Sequence, residues 1–170
     1  APGADLILEP VGRDTAPAVA VAALKALAID PHAKILILPA DHLIRELAVF
    51  HRALATGVRY ADHGYLITFG VVPESPETGY GYIRKGEVIA AGDTAEADHG
   101  AHAIAAFVEK PDRQTAEQYL QSGQYCWNSG MFMFRAADII DDLKRFAPDI
   151  LSSCEAAYGD GKADGNAFLL

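Results

Sequence analysis

Positive charge is scarce in this chain. Its 14 lysines and arginines face 23 aspartates and glutamates, giving a formal net charge of -9. An acidic surface of this kind repels a nucleic-acid backbone, which excludes nucleic acid as a partner. It leaves nucleotides open, because a few backbone amides and cations suffice to grip a small phosphate. Cysteine is scarcer still, at 2 residues. Cys126 and Cys154 are too few for a disulfide scaffold and neither belongs to a CxxC pair, so both read as packing residues in a reducing compartment. Long apolar runs are missing as well. None nears the roughly 20 residues that span a bilayer, and the opening residues lack the pattern of a secretory signal. The expectation is a cytoplasmic protein with no membrane partner.

What is present is ordinary globular composition, 51% hydrophobic and 22% charged over 170 residues. That is enough for one domain with a substantial core. No internal repeat or linker divides it. Both ends are apolar, "LIL" near the start and "NAFLL" at the close. Intact domains usually end in loose polar segments, so part of a longer chain is expected.

Leu6–Leu8 has strand character and leads into "EPVGRDTAPA", where Thr15 suits an N-cap and Pro17 the first turn of a helix. Ala18 to Ala28 is rich in alanine and leucine, a good helix. Ile35–Leu38 reads as a strand buried on both faces. Glu46 to Tyr60 carries Leu47, Phe50, Leu54 and Val58 at helical spacing, with Gly64 as its stop, and Tyr65–Phe69 is a second buried strand. Strands alternating with helices favour a parallel sheet with crossover helices. Further on, Tyr80, Tyr82 and Ile83 suggest a short strand, and Ile104–Val108 another, joined by the variable "EVIAAGDTAEADHGAH". "DRQTAEQYLQSG" is a helix with Gly123 at its stop. Met131–Phe134 returns to strand, and Ala136–Phe146 is an amphipathic helix ended by Pro148.

Several segments hold residues suited to chemistry. In "KILILPADHL" an aliphatic run breaks at Pro39 and presents Asp41 and His42. Ligands of open parallel sheets bind beyond the carboxyl ends of strands, and a hard cation such as Mg²⁺ needs only one or two carboxylates plus phosphate oxygens. A turn or cap role for Asp41 is the plainer reading. "EPVGRDTAPA" sets Glu9 and Arg13 around a glycine ahead of a helix amino end, able to meet a polar base edge or an anion, or else a solvated ion pair before a capped helix. "ETGYGYI" pairs glycines, which let a backbone approach a ligand, with tyrosines; a simple bend competes. "FVEKPD" offers Glu109 for hydroxyls and Lys110 for a phosphate, or a surface ion pair. "WNSGMFMF" puts an amide, a hydroxyl and a glycine ahead of a strand, either a polar pocket or an ordinary turn.

Taken in order, "LEPVGRDTAPA", "LPADH", "TFGVVPESPETGYGYI", "FVEKPD" and "YCWNSGMFMF" resemble the bacterial mannose-1-phosphate guanylyltransferases, within the sugar-1-phosphate nucleotidyltransferases. The resemblance runs from Leu6 to about Ile150. It implies an α/β, Rossmann-like core with a mostly parallel mixed sheet flanked by helices. It also implies GTP, mannose 1-phosphate and GDP-mannose as substrates and product, and Mg²⁺ or another divalent cation as cofactor. Glu9, Pro10, Arg13 and Thr15 would lie on the nucleotide side, and Asp41 would hold the metal. Gly79, Tyr80 and Gly81 would border the sugar. Glu109 would accept from its hydroxyls, Lys110 would face its phosphate as a catalytic cation beside Asp41, and Asn128 and Gly130 would close the pocket. Position 14 departs from the family, which usually has Asn where this chain has Asp14; an acid there removes an amide donor and repels phosphate. Relatives also carry a glycine-rich GGxGTRLxP loop before the first matching segment and a second metal-binding aspartate after the last. Residues 1–170 are therefore expected to be a partial nucleotidyltransferase domain, inactive alone, and a homodimer is possible for such a protein. The competing readings are a catalytically silent nucleotide-sugar-binding subunit and a transferase for another hexose 1-phosphate.

Overall fold

The computed structural model describes residues 5–89 and 101–170; the variable connection expected after Glu87 lies largely outside them. The chain divides into two compact units, Ala1–Ile35 with Phe134–Leu170, and Leu36–Met133.

In the first unit, β1 (Leu6–Leu8) is followed by α1 (Thr15–Ile29), and after the excursion through the second unit come α4 (Ala136–Phe146), α5 (Pro148–Asp160), β7 (Lys162–Asp164) and β8 (Ala167–Leu169). α1 exposes no bulky ridge on its inner face. Ala20, Val21 and Ala23 are its buried residues, and such small side chains let α4 and α5 pack closely against it. Ala20 and Val21 form a core with Cys154 of α5, covered by Ile7, Leu24, Leu143, Tyr158 and Leu170. The two apolar ends of the sequence are each other's partners. β1 runs parallel to β8, with Leu6 opposite Ala167 and Leu8 opposite Leu169, and β8 turns back on β7 through Gly165 at φ 60°. Thr15 is not the N-cap but the first helical residue; Asp14 stands at the cap without a side-chain hydrogen bond.

The second unit holds most of a five-stranded sheet, ordered β2-β6-β4-β5 with β3 alongside β6. Its strands are β2 (Lys34–Ile37), β3 (Ile67–Val71), β4 (Gly81–Val88), β5 (His102–Glu109) and β6 (Tyr125–Arg135), with helices α2 (Leu47–Asp62) and α3 (Arg113–Ser122). The mixed α/β class is as the sequence implied, but the balance of strand directions is not. The β3–β6, β4–β5 and β4–β6 pairs are all antiparallel. β6 runs against both of its neighbours β3 and β4, and no helix lies between β4 and β5 among the described residues to bring that pair round in parallel. β2 closes one end of the strand order and is only half-buried, rather than covered on both faces.

α3 follows its local signals closely. Asp112 caps it, accepting from the Thr115 N–H at 2.7 Å, and Gly123 ends it at φ 64°. Tyr119 of α3 stacks on Tyr125 with ring centroids 3.8 Å apart and tilts toward Tyr82 at 5.4 Å. Tyr82 is fully buried and its hydroxyl donates to the Glu77 carbonyl at 2.8 Å. That bond ties the loop before β4 to the sheet. Both cysteines are free; Cys154 is buried and Cys126 half-buried, in keeping with packing roles.

Candidate functional site

β4 begins and β5 ends at the same place, with Gly81 opposite Glu109. A Cβ on residue 81 would lie 2.8 Å from Glu109 Oε2 and 3.4 Å from the Asn128 Cβ. Glycine is therefore what allows the carboxylate to lie across the strand. The next residue, Lys110, adopts φ 45°, and its N–H donates to the Tyr80 carbonyl at 3.2 Å. Its ammonium lies 3.9 Å from Glu109 Oε1, with both side chains largely exposed. Tyr80 is half-exposed and stands edge-on to Trp127, centroids 5.2 Å apart at 82°. Around Gly79 a Cβ would meet nothing within 4 Å, so the space above that residue is open.

"WNSG" is not a turn ahead of a strand. It lies within β6, where the ladder to β3 shifts register between Thr68 and Gly70. Gly130 takes φ 69°, and a Cβ on it would lie 3.4 Å from the Pro39 ring. Asn128 Oδ1 accepts from the Gly130 N–H at 3.2 Å and lies 3.2 Å from Thr68 Oγ1. Ser129 Oγ donates to the Phe69 carbonyl at 2.5 Å and accepts from the Met131 N–H at 3.1 Å. Bulges of this kind re-aim side chains beside functional sites. The Trp127 indole N–H is buried without a hydrogen-bond partner among the described residues.

Asp41 sits in the turn after β2, its side chain 89% exposed and its Oδ1 4.0 Å from His42 Nε2. No group of three or more His, Cys, Asp or Glu that could hold a metal occurs among the described residues. Asp41 by itself fits a cation whose remaining oxygen ligands come from phosphate and water, not an all-protein cage.

In the first unit, Glu9, Pro10, Arg13 and Thr15 are all exposed between β1 and the start of α1. Glu9 lines a pocket of about 80 Å³ with Ile7, Ala18 and Val21. Asp14 holds φ 67° and ψ -177°, a conformation that residues other than glycine rarely adopt. Asp14 and Lys110 are the only non-glycine residues at positive φ among those described. Each falls in a segment that the sequence singled out.

The sugar-side residues named from sequence thus adjoin one another, from Tyr80 and Gly81 through Glu109 and Lys110 to Asn128 and Gly130. Thr68 and Trp127, which touch this group, were given no role by the sequence. Both lie inside motifs of the family resemblance, Thr68 at the start of "TFGVVPESPETGYGYI" and Trp127 in "YCWNSGMFMF".

The class that the secondary structure defines is a mixed α/β protein with a mostly antiparallel sheet. The chain belongs to the nucleotidyl transferase family, which it matches over residues 3–169. It is 54% identical over 165 residues to a mannose-1-phosphate guanylyltransferase of Klebsiella pneumoniae, covering 97% of this chain and 34% of that protein. It is 47% identical over 161 residues to the xanthan biosynthesis protein XanB of Xanthomonas campestris pv. campestris strain B100, covering 95% of this chain and 32% of that one. A crystal structure from Thermus thermophilus, titled as a "mannose-1-phosphate geranyltransferase", superposes with a TM-score of 0.77 at 35% identity, covering 91% of this chain and 43% of that chain. This chain spans about a third of the length of the curated relatives it matches.

Proposed function

We propose that the protein carrying this chain transfers GMP from GTP to mannose 1-phosphate, giving GDP-mannose and pyrophosphate, and that residues 1–170 form part of one nucleotidyltransferase domain. The observation that carries the reading is the cluster where β4 begins and β5 ends, in which Glu109 and Asn128 both border Gly81 and Lys110 pairs with Glu109. In the reaction an oxygen of the sugar phosphate attacks the α-phosphorus of GTP. A new P–O bond forms, the bond between the α-phosphorus and the bridging oxygen breaks, and pyrophosphate leaves.

No protein nucleophile is needed, so the residues act by placing charges and donors. Glu109 accepts from sugar hydroxyls, and its exposed carboxylate lies 3.9 Å from the Lys110 ammonium. Lys110 faces the sugar phosphate. The positive-φ backbone that brings its N–H to Tyr80 holds the lysine just past the end of β5, which supports that role. Asn128 and Gly130 border the sugar opposite Tyr80 and Gly81. Glu9, Pro10, Arg13 and Thr15 receive the nucleotide. Asp41 would hold a divalent cation, Mg²⁺ by preference; when bound, that ion neutralises charge on the phosphates.

The test is pyrophosphate release by the protein produced from its complete open reading frame, with GTP, mannose 1-phosphate and Mg²⁺. Turnover that needs all three is expected. Equal turnover with other hexose 1-phosphates would overturn the sugar assignment, and binding of GDP-mannose without any turnover would overturn the transferase.

A further inference from the structure

The ladder between β3 and β6 places Thr68 opposite Phe132 and Gly70 opposite Asn128. Phe69 alone therefore spans the gap that Ser129, Gly130 and Met131 fill on the other strand. The surplus backbone of β6 bows out at Gly130, and two hydroxyls replace the ladder bonds that are lost. Ser129 serves Phe69 and Met131. Thr68 Oγ1 lies 3.2 Å from both the Met131 carbonyl and Asn128 Oδ1.

The consequence falls on the Asn128 amide. A backbone N–H can only donate, so the group that Gly130 N–H meets at 3.2 Å must be the amide oxygen and not the NH₂. Thr68 has one hydroxyl proton to offer, and the Met131 carbonyl and the amide oxygen share it; when it points to Asn128, the amide oxygen accepts twice inside the bulge. What remains for a ligand is the NH₂, two donors and no acceptor.

We propose that Thr68 is a positioning residue for the sugar side. With the Gly130 N–H it locks the Asn128 amide so that a donor is offered to a lone-pair acceptor of the ligand, a sugar or phosphate oxygen. This rests on the reading above that Asn128 borders mannose 1-phosphate.

Thr68→Val keeps the shape and removes the hydroxyl; Thr68→Ser restores it. In the protein from its complete open reading frame, Thr68→Val should raise KM for mannose 1-phosphate roughly 5- to 10-fold, the size of one neutral hydrogen bond. KM for GTP should stay within about twofold, and Thr68→Ser should return both to the unmodified values. The Asn128 side-chain NH₂ resonances, read by ¹H–¹⁵N NMR without ligand, should shift in the valine variant and not in the serine variant. Asn128→Asp keeps both acceptors for Thr68 and Gly130 but has no NH₂, so it should raise KM for mannose 1-phosphate at least as much. An unchanged KM in Asn128→Asp, parallel rises of both KM values in Thr68→Val, or NMR signals indifferent to Thr68→Val would each overturn the inference. No turnover in the unmodified protein would overturn the guanylyltransferase reading and the sugar part with it. The ligand-free NMR comparison judges the hold of Thr68 on Asn128 in either event.

Discussion

Gly81 lies so close beneath Glu109 that a single added carbon would come to 2.8 Å from the carboxylate oxygen. The obstructing atom is the tip of a flexible side chain, which can swing away at little cost. Gly81→Ala should therefore leave the melting temperature almost unchanged while displacing Glu109. A carboxylate accepting from a ligand hydroxyl is a charge-assisted contact, so KM for mannose 1-phosphate should rise roughly 10- to 100-fold. Calorimetric melting and steady-state kinetics on the same preparation check both halves.

Asp41 has the opposite character, an exposed side chain with almost no structural contact. Substitution at such a position shifts stability by about 0.5 kcal/mol or less. Asp41→Ala should abolish pyrophosphate release at every Mg²⁺ concentration while the circular-dichroism spectrum and melt are preserved. Retained activity would remove Asp41 from the mechanism.

The cap of α3 responds to pH. The Thr115 N–H and hydroxyl hold the Asp112 carboxyl below its ordinary value of 3.8. Since the folded value is the lower one, the cap stabilises the fold above the unfolded value, and the effect fades as pH falls through the folded value. Asp112→Ala should lower the melting temperature at pH 7, and the gap between variant and parent should narrow as the pH falls below 3.8.

Cys154 should behave as an inert thiol. Burial pushes its pKa above the ordinary 9.0, and the neighbouring charge of Glu9 adds to the rise. Alkylation by iodoacetamide at pH 8 runs through the thiolate, so in the native protein it should be slower than in urea by about tenfold or more. A raised thiol pKa stabilises the fold below the unfolded value, and that contribution is lost as pH rises through the folded one. Rapid labelling of Cys154 without unfolding would show that the α1–α5 core opens readily.

Legibility in the sequence followed the range of the signal. The α2, α3 and α4 helices stand within a few residues of their expected bounds, because helical spacing, an Asp at position 112 and a glycine at 123 act over a single turn of chain. Strand direction was misread. Leu6–Leu8 showed its β character but not that its partner is Ala167–Leu169, and "WNSG" showed its polar residues but not that they lie inside an 11-residue strand.

The sequence by itself determined which residues are chemically eligible: the carboxylate after β2, the glycines before β4, the acid–lysine pair after β5 and the amide of Asn128. Their types, their order and their local conformational freedom are properties of short stretches of chain. Only the tertiary structure decided how the Asn128 amide is held. Pairing β3 with β6 joins residues 60 or more positions apart, as in the bond from Thr68 to Asn128, and neither propensity nor spacing encodes such a meeting. Hydrogen-bond satisfaction inside the bulge then selects which end of the amide is left over, and so what kind of atom a ligand must bring to it.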